Sequence, residues 1–170
     1  MKIRCLGVIL CLVVAASAFA KGNPNLEPLA GMWKCSGITF ASPMGPEHAT
    51  KATVAGTWIM GGKWLEVVYK EMKTPKNPKP IQAELLMSYD EALKKVVAGC
   101  VDSMGGYCTE ETGNPPWDGD MMVLSGNGTM GGQAMKVRDT FTKGTGWVKH
   151  MGEIETPTGW VKVSEETCKR

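Results

Sequence analysis

The sequence predicts an all-β fold, an antiparallel up-and-down closed barrel of about 8–10 strands behind a short N-terminal turn. Three observations predict it. Short runs of β-branched, aromatic and alternating apolar residues recur at spacings of about ten residues. Twenty-one glycines, with prolines and asparagines, punctuate those runs. The connections are mostly short, so sequence neighbours should pair antiparallel, and closing the meander removes its exposed edges. A sandwich with crossed connections satisfies the same pattern.

The chain begins with a targeting pattern. Lys2 and Arg4 precede an apolar run over residues 6–16, and Ala18-Phe19-Ala20 forms a small-x-small cleavage site. Residues 1–20 therefore read as a cleaved signal peptide. The run is short for a bilayer span, and Lys21 stands where a lipoprotein would carry its cysteine. Residues 21–170 are expected to form a single periplasmic or secreted barrel domain, with no membrane insertion after cleavage. Oligomeric state has no signature in the sequence.

Residues 23–29 (NPNLEPL) read as a lead-in turn. Strands are expected near 31–40, 48–60, 63–71, 81–89, 95–103, 106–112, 119–125, 132–142, 146–155 and 160–168. Residues 73–80 (KTPKNPKP) form a loop, because their prolines cannot donate to a ladder. Asp90-Glu91-Ala92-Leu93-Lys94 is short enough to be a turn. The triplet Met-Gly-Gly occurs at 60–62, 104–106 and 130–132, each time between two β-like runs. The spacing is irregular, which excludes a tandem repeat. Gly-Gly supplies the positive φ of tight hairpins, so the triplets read as hairpin tips. At the third, Asn127-Gly128 competes for the turn.

Charge argues against nucleic acid as a partner. The full chain carries 19 Lys+Arg against 17 Asp+Glu, and Lys2 and Arg4 leave with the signal, so 17 of each sign remain. No basic stripe with interleaved aromatics appears. Cys35, Cys100, Cys108 and Cys168 survive cleavage, an even number that suits two disulfides in an oxidising compartment. Four cysteines allow three pairings. A three-residue loop at Ser103-Met104-Gly105 would set Cys100 opposite Cys108, within disulfide reach. Cys35–Cys168 would then join first strand to last. Cys35 shares a face with Trp33, whereas alternation puts Cys168 with Trp160 and Lys162, so this pairing needs a bulge or a frayed end.

Leu26-x-x-Leu29-x-Gly31-x-Trp33 resembles the opening of the lipocalin-like (calycin) barrels. The order of further motifs is similar to a bacterial exported family of unknown function with that barrel. It runs through Pro43-Met44-Gly45, Met60-Gly61-Gly62, an aromatic strand ending at Tyr69, Tyr89-Asp90, Asp102-Ser103-Met104-Gly105 and a final strand carrying Glu165. The resemblance implies the barrel, with Trp33 plugging one end, but no activity. Cys100 and Cys168 stand where that family carries aromatic residues, which suggests a disulfide-bearing branch.

By analogy with the fold, a small, largely apolar molecule is expected in the interior. The expected ligand-binding residues are Trp33, Trp58, Met87, Tyr89, Met135, His150 and Glu165, chosen as inward strand positions. Glu165 is selected because it matches the family position and shares a face with Val161 and Val163 by simple alternation. No cofactor or metal is expected. Met121-Met122, the adjacent methionine pair, point to opposite faces of a strand, so they make a poor copper site. The final strand lacks the histidine that nitrobindin-like haem barrels use. No Walker loop, Rossmann fingerprint or nucleophile elbow occurs. Two alternatives stand beside ligand binding: an enzyme using Glu165 or His150 as acid/base in the same cavity, or a side-chain-filled barrel acting through its loops. Trp117, in Asn114-Pro115-Pro116-Trp117, is expected in a loop, as a ligand lid or a closure of the barrel mouth.

Overall fold

Ten strands follow one another around a closed barrel: β1 (Gly31–Thr39), β2 (His48–Ile59), β3 (Trp64–Glu71), β4 (Gln82–Asp90), β5 (Lys95–Asp102), β6 (Tyr107–Asp118), β7 (Met121–Met130), β8 (Gln133–Gly144), β9 (Trp147–Thr156) and β10 (Gly159–Lys169). Each pairs antiparallel with its neighbours in sequence, and β10 returns to β1. The meander is therefore closed and the sandwich is excluded. This computed structural model describes residues 22–42 and 45–170; the expected signal segment and Pro43-Met44 lie outside the described residues. Among the described residues no helix is long and apolar enough to cross a membrane.

Two strands run longer than expected. The Asn114–Trp117 stretch stays extended inside β6, and its pairing with β7 lapses between Thr112 and Trp117. Prolines have no N–H to donate, so they are tolerated where the ladder is interrupted. Asn127 and Gly128 do not turn; both pair across to β6 and to β8. The turn falls one step later, at Gly131 (φ 58°) and Gly132 (φ 79°). Two successive left-handed residues are what a tight hairpin twisted like its strands requires. The Met60 triplet forms the tip between β2 and β3, with Met60 (φ 49°), Gly61 (φ 68°) and Gly62 (φ 81°) all left-handed. At the second triplet, Gly105 (φ 86°) closes the β5–β6 turn, and Cys100 lies directly opposite Cys108.

A bulge in β10 settles the face problem. The β9–β10 register shifts by one residue between Lys162 and Ser164, leaving Val163 unpaired. A period of two cannot survive an inserted residue. Before the bulge Val161 sits opposite the inward Ile154; after it Ser164, Glu166 and Cys168 take the inner face. Cys168 thereby reaches Cys35; Cys100–Cys108, across β5 and β6, is the second disulfide. The first joins the strands of the closing seam.

One end of the barrel is plugged by the lead-in segment. Its 3₁₀ turn, Glu27–Leu29, brings Leu26 and Leu29 into the core. Burying two such leucines contributes about 3–6 kcal/mol. Gly56 lets the segment come close, because a Cβ there would collide with the Leu29 carbonyl and Ala30 Cα. Trp33 Nε1 donates to the Leu29 carbonyl (3.2 Å), Trp117 Nε1 to the Asn25 carbonyl (2.7 Å) and Trp58 Nε1 to Glu27 (3.2 Å). The Arg170 guanidinium lies 4.3 Å from the Trp33 ring centroid and donates to the Ala30 carbonyl (2.8 Å). Trp117 thus closes the plugged end and is no lid. At the opposite end the β3–β4 connection, residues 72–81, is tied to the rim. Glu71 takes the Ile81 N–H (3.0 Å) and lies 3.1 Å from His48 Nε2.

Candidate functional site

Between the plug and the rim lies a cavity of about 750 Å³. It extends from Trp33 to Ser42, residues 76–81 and Met104. Val54, Val67, Leu85, Met87 and Val148 supply an apolar wall from β2, β3, β4 and β9. The interior is hollow, so the side-chain-filled barrel is not the observed arrangement.

A second, polar wall forms where β3, β8, β9 and β10 turn Tyr69, Asp139, His150 and Glu166 inward. His150 Nε2–H donates to Asp139 Oδ1 at 2.8 Å, and Phe141 stacks on the imidazole with centroids 4.9 Å apart. The Tyr69 hydroxyl donates to Glu166 Oε1 at 2.9 Å. Behind Asp139, on β6, Glu110 is buried and hydrogen-bonds it. Among the described residues no donor reaches Glu110 Oε1, and Oε2 lies 3.5 Å from the Cys108 sulfur. A carboxylate in that position would be stranded, whereas a carboxylic acid can donate to Asp139.

The electrostatics follow from this packing. Burial, then the Asp139 charge, push the Glu110 carboxyl up to about 9, so it holds its proton at neutral pH. Burial by itself would raise Asp139, but the hydrogen bond and charge of His150, with the hydrogen bond from Glu110, hold it below its usual range. Burial likewise disfavours the imidazolium of His150, yet the hydrogen bond and charge of Asp139, helped by Glu166, outweigh it and raise the ring. Burial and the neighbouring Glu166 push the Tyr69 phenol up. His150 and Asp139 keep 28% and 22% of their side-chain surface, and both line the cavity, so this polar pair is open to an occupant.

Glycines make room for the acids. Gly37 faces Glu166, Gly126 faces Glu110 and Gly152 faces Asp139 across neighbouring strands. A Cβ at Gly37 would run into the Glu165 carbonyl and Glu166 Cα, and one at Gly126 into the Thr109 carbonyl and Glu110 Cα. The strands approach closely at the places where the barrel carries its buried carboxyls.

Of the expected ligand residues, Trp33, Met87 and His150 line the cavity. Trp58 and Tyr89 sit lower, packed against the core near the plug, and Met135 lies opposite Gly128, outside the cavity lining. Glu165 is a correction. The bulge turns it outward, where Lys162 (2.7 Å) and Lys149 (2.9 Å) pair with it and hold its carboxyl below the usual range. Its neighbour Glu166 is the inward acid. Met122 is buried and Met121 exposed, as strand alternation requires. Sequence reasoning missed Asp139 and Tyr69; of the adjacent acids Glu110-Glu111 and Glu165-Glu166, alternation turns one of each pair inward, and the inward members are Glu110 and Glu166. A signal existed for Asp139, which alternates with the apolar Val137 and Phe141.

A family model described as a protein of unknown function (DUF1579) matches residues 23–165. The chain belongs to that family. The match spans β1 to β9 and reaches into β10 as far as Glu165. No curated protein matches the chain. Its structure is similar to the crystal structure of Rv2717c from M. tuberculosis, with a TM-score of 0.68 over 88% of this chain and 99% of that one. At 13% identity that likeness concerns the fold alone.

Proposed function

We propose that this protein is exported and binds a small, largely apolar molecule inside its barrel. The observation that carries the reading is the cavity of about 750 Å³, a size suited to small-molecule ligands, with an apolar wall and a few convergent polar groups. The N-terminal targeting pattern and the two disulfides support a periplasmic or secreted setting. Native mass spectrometry of the protein purified from its own host tests the reading. A co-purifying molecule seated in the cavity is the expected result. A bare mass, together with no displacement of a fluorescent apolar probe, refutes it.

One observation favours a second reading, acid–base catalysis in the same space. His150 is oriented by Asp139 at Nε2, an arrangement that leaves Nδ1 to exchange a proton with a cavity occupant. Chemical conversion of the co-purified molecule by wild type, and none by His150→Gln, would establish it; conversion by neither would remove it.

A further inference from the structure

The polar wall restricts what the occupant's head group can be, an inference that rests on the cavity-binding reading. His150 and Glu166 are directly opposed on β9 and β10, both inward. Each is engaged on one side only. His150 gives Nε2–H to Asp139, and Glu166 receives the Tyr69 hydroxyl on Oε1. His150 Nδ1 and Glu166 Oε2 have no hydrogen-bond partner among the described residues. Asp139 and Glu166 both favour the imidazolium, in which Nδ1 carries a proton. A donor and an acceptor therefore stand side by side, each with one bond left to make.

Three simple head groups fail against this pair. A carboxylate satisfies His150 but meets the Glu166 carboxylate. An ammonium satisfies Glu166 but meets the imidazolium. A hydrocarbon leaves both polar atoms unpaired, and an unpaired buried polar group is costly. A hydroxyl accepts from one and donates to the other.

We propose that the cavity selects an alcohol: an apolar body against Val67, Leu85 and Met87, with one uncharged hydroxyl bridging His150 Nδ1 and Glu166 Oε2. One hydrogen bond to a charged group corresponds to about a tenfold to hundredfold difference in affinity.

The test is calorimetric titration of the oxidised protein at pH 7 with 1-octanol, octanoate, octylammonium and octane. The expected result is that octanol binds about ten to a hundred times more tightly than each of the others. Octane binding as well as octanol would overturn the head-group assignment while leaving the apolar cavity standing. So would tighter binding of octanoate or octylammonium. Failure of all four to bind would remove the cavity-binding reading itself, and the assignment with it. Glu166→Gln gives an independent check, because Gln can give its amide N–H to the Tyr69 oxygen and turn its carbonyl oxygen to the cavity, keeping an acceptor there without the charge. Octanoate affinity should rise about tenfold while octanol changes less than about threefold. An unchanged octanoate affinity would count against the proposal.

Discussion

Replacing Glu110 with Gln should stabilise this protein at neutral pH, although it alters a fully enclosed residue. Burial and Asp139 push the Glu110 carboxyl from its ordinary 4.5 up to about 9. An acid raised on folding holds a proton that the unfolded chain has already released. Its favourable state is therefore complete below pH 4.5 and is lost progressively as pH climbs toward 9. At pH 7 the gap above 4.5 amounts to about 3 kcal/mol, at about 1.4 kcal/mol per pH unit. Gln is isosteric, never ionises and can donate to Asp139 as the protonated acid does. Glu110→Gln should match the wild type near pH 4 and exceed it by about 3 kcal/mol at pH 7. For a domain of this size that is a rise in melting temperature of roughly 6–12 °C. Urea or thermal melts of both proteins across pH 4–9 read it directly. Parallel pH profiles, or a less stable Glu110→Gln at pH 7, would refute the assignment of the proton to Glu110.

Three further outcomes follow from the same geometry. Gly37→Ala should cost about 1–3 kcal/mol by overpacking against β10, whereas Gly99→Ala, where a Cβ meets only the Cys108 carbonyl at 3.9 Å, should be near neutral in the same thermal melts. Removing Cys35–Cys168, which spans 133 residues, should destabilise by about 5 kcal/mol on loop-entropy grounds. Removing Cys100–Cys108, which spans 8, should cost about 2–3 kcal/mol, and denaturant titration of the two double-serine variants compares them. Stability should also peak in mild acid. The depressed Asp139 contributes above its ordinary 3.8 and loses that contribution as pH falls, while the raised His150 contributes below its ordinary 6.5 and loses it as pH rises. His150→Gln should flatten the alkaline side of that profile in urea melts, and an unchanged alkaline side would contradict the His150–Asp139 pairing.

Much of the fold was legible in the sequence because it rests on short-range effects. Alternation of apolar residues marks a strand, and paired glycines mark a tip, without knowledge of the partner strand. The ten expected strands correspond to the ten observed, and even the opposition of Cys100 and Cys108 followed from one turn. The Asn114–Trp117 segment misled because proline excludes ladder bonding without excluding an extended chain.

The polar wall was mostly hidden. Glu165 and Glu166 are adjacent and chemically alike, so only the phase of β10 decides which one enters the cavity. That phase is reset by one unpaired residue, Val163, whose position depends on how β10 fits against β9. The sequence by itself determined the strands, the tips and the cysteine set, because periodicity and backbone preference are written locally, while Trp33 at the plugged end was implied by the family resemblance. Tertiary structure alone decided the bulge. With it came Glu166 inside, Glu165 outside and the closure of Cys168 onto Cys35. It also brought together Glu110, Asp139 and His150 from β6, β8 and β9. Their shifted protonation arises from burial and proximity, and neither exists until the barrel closes.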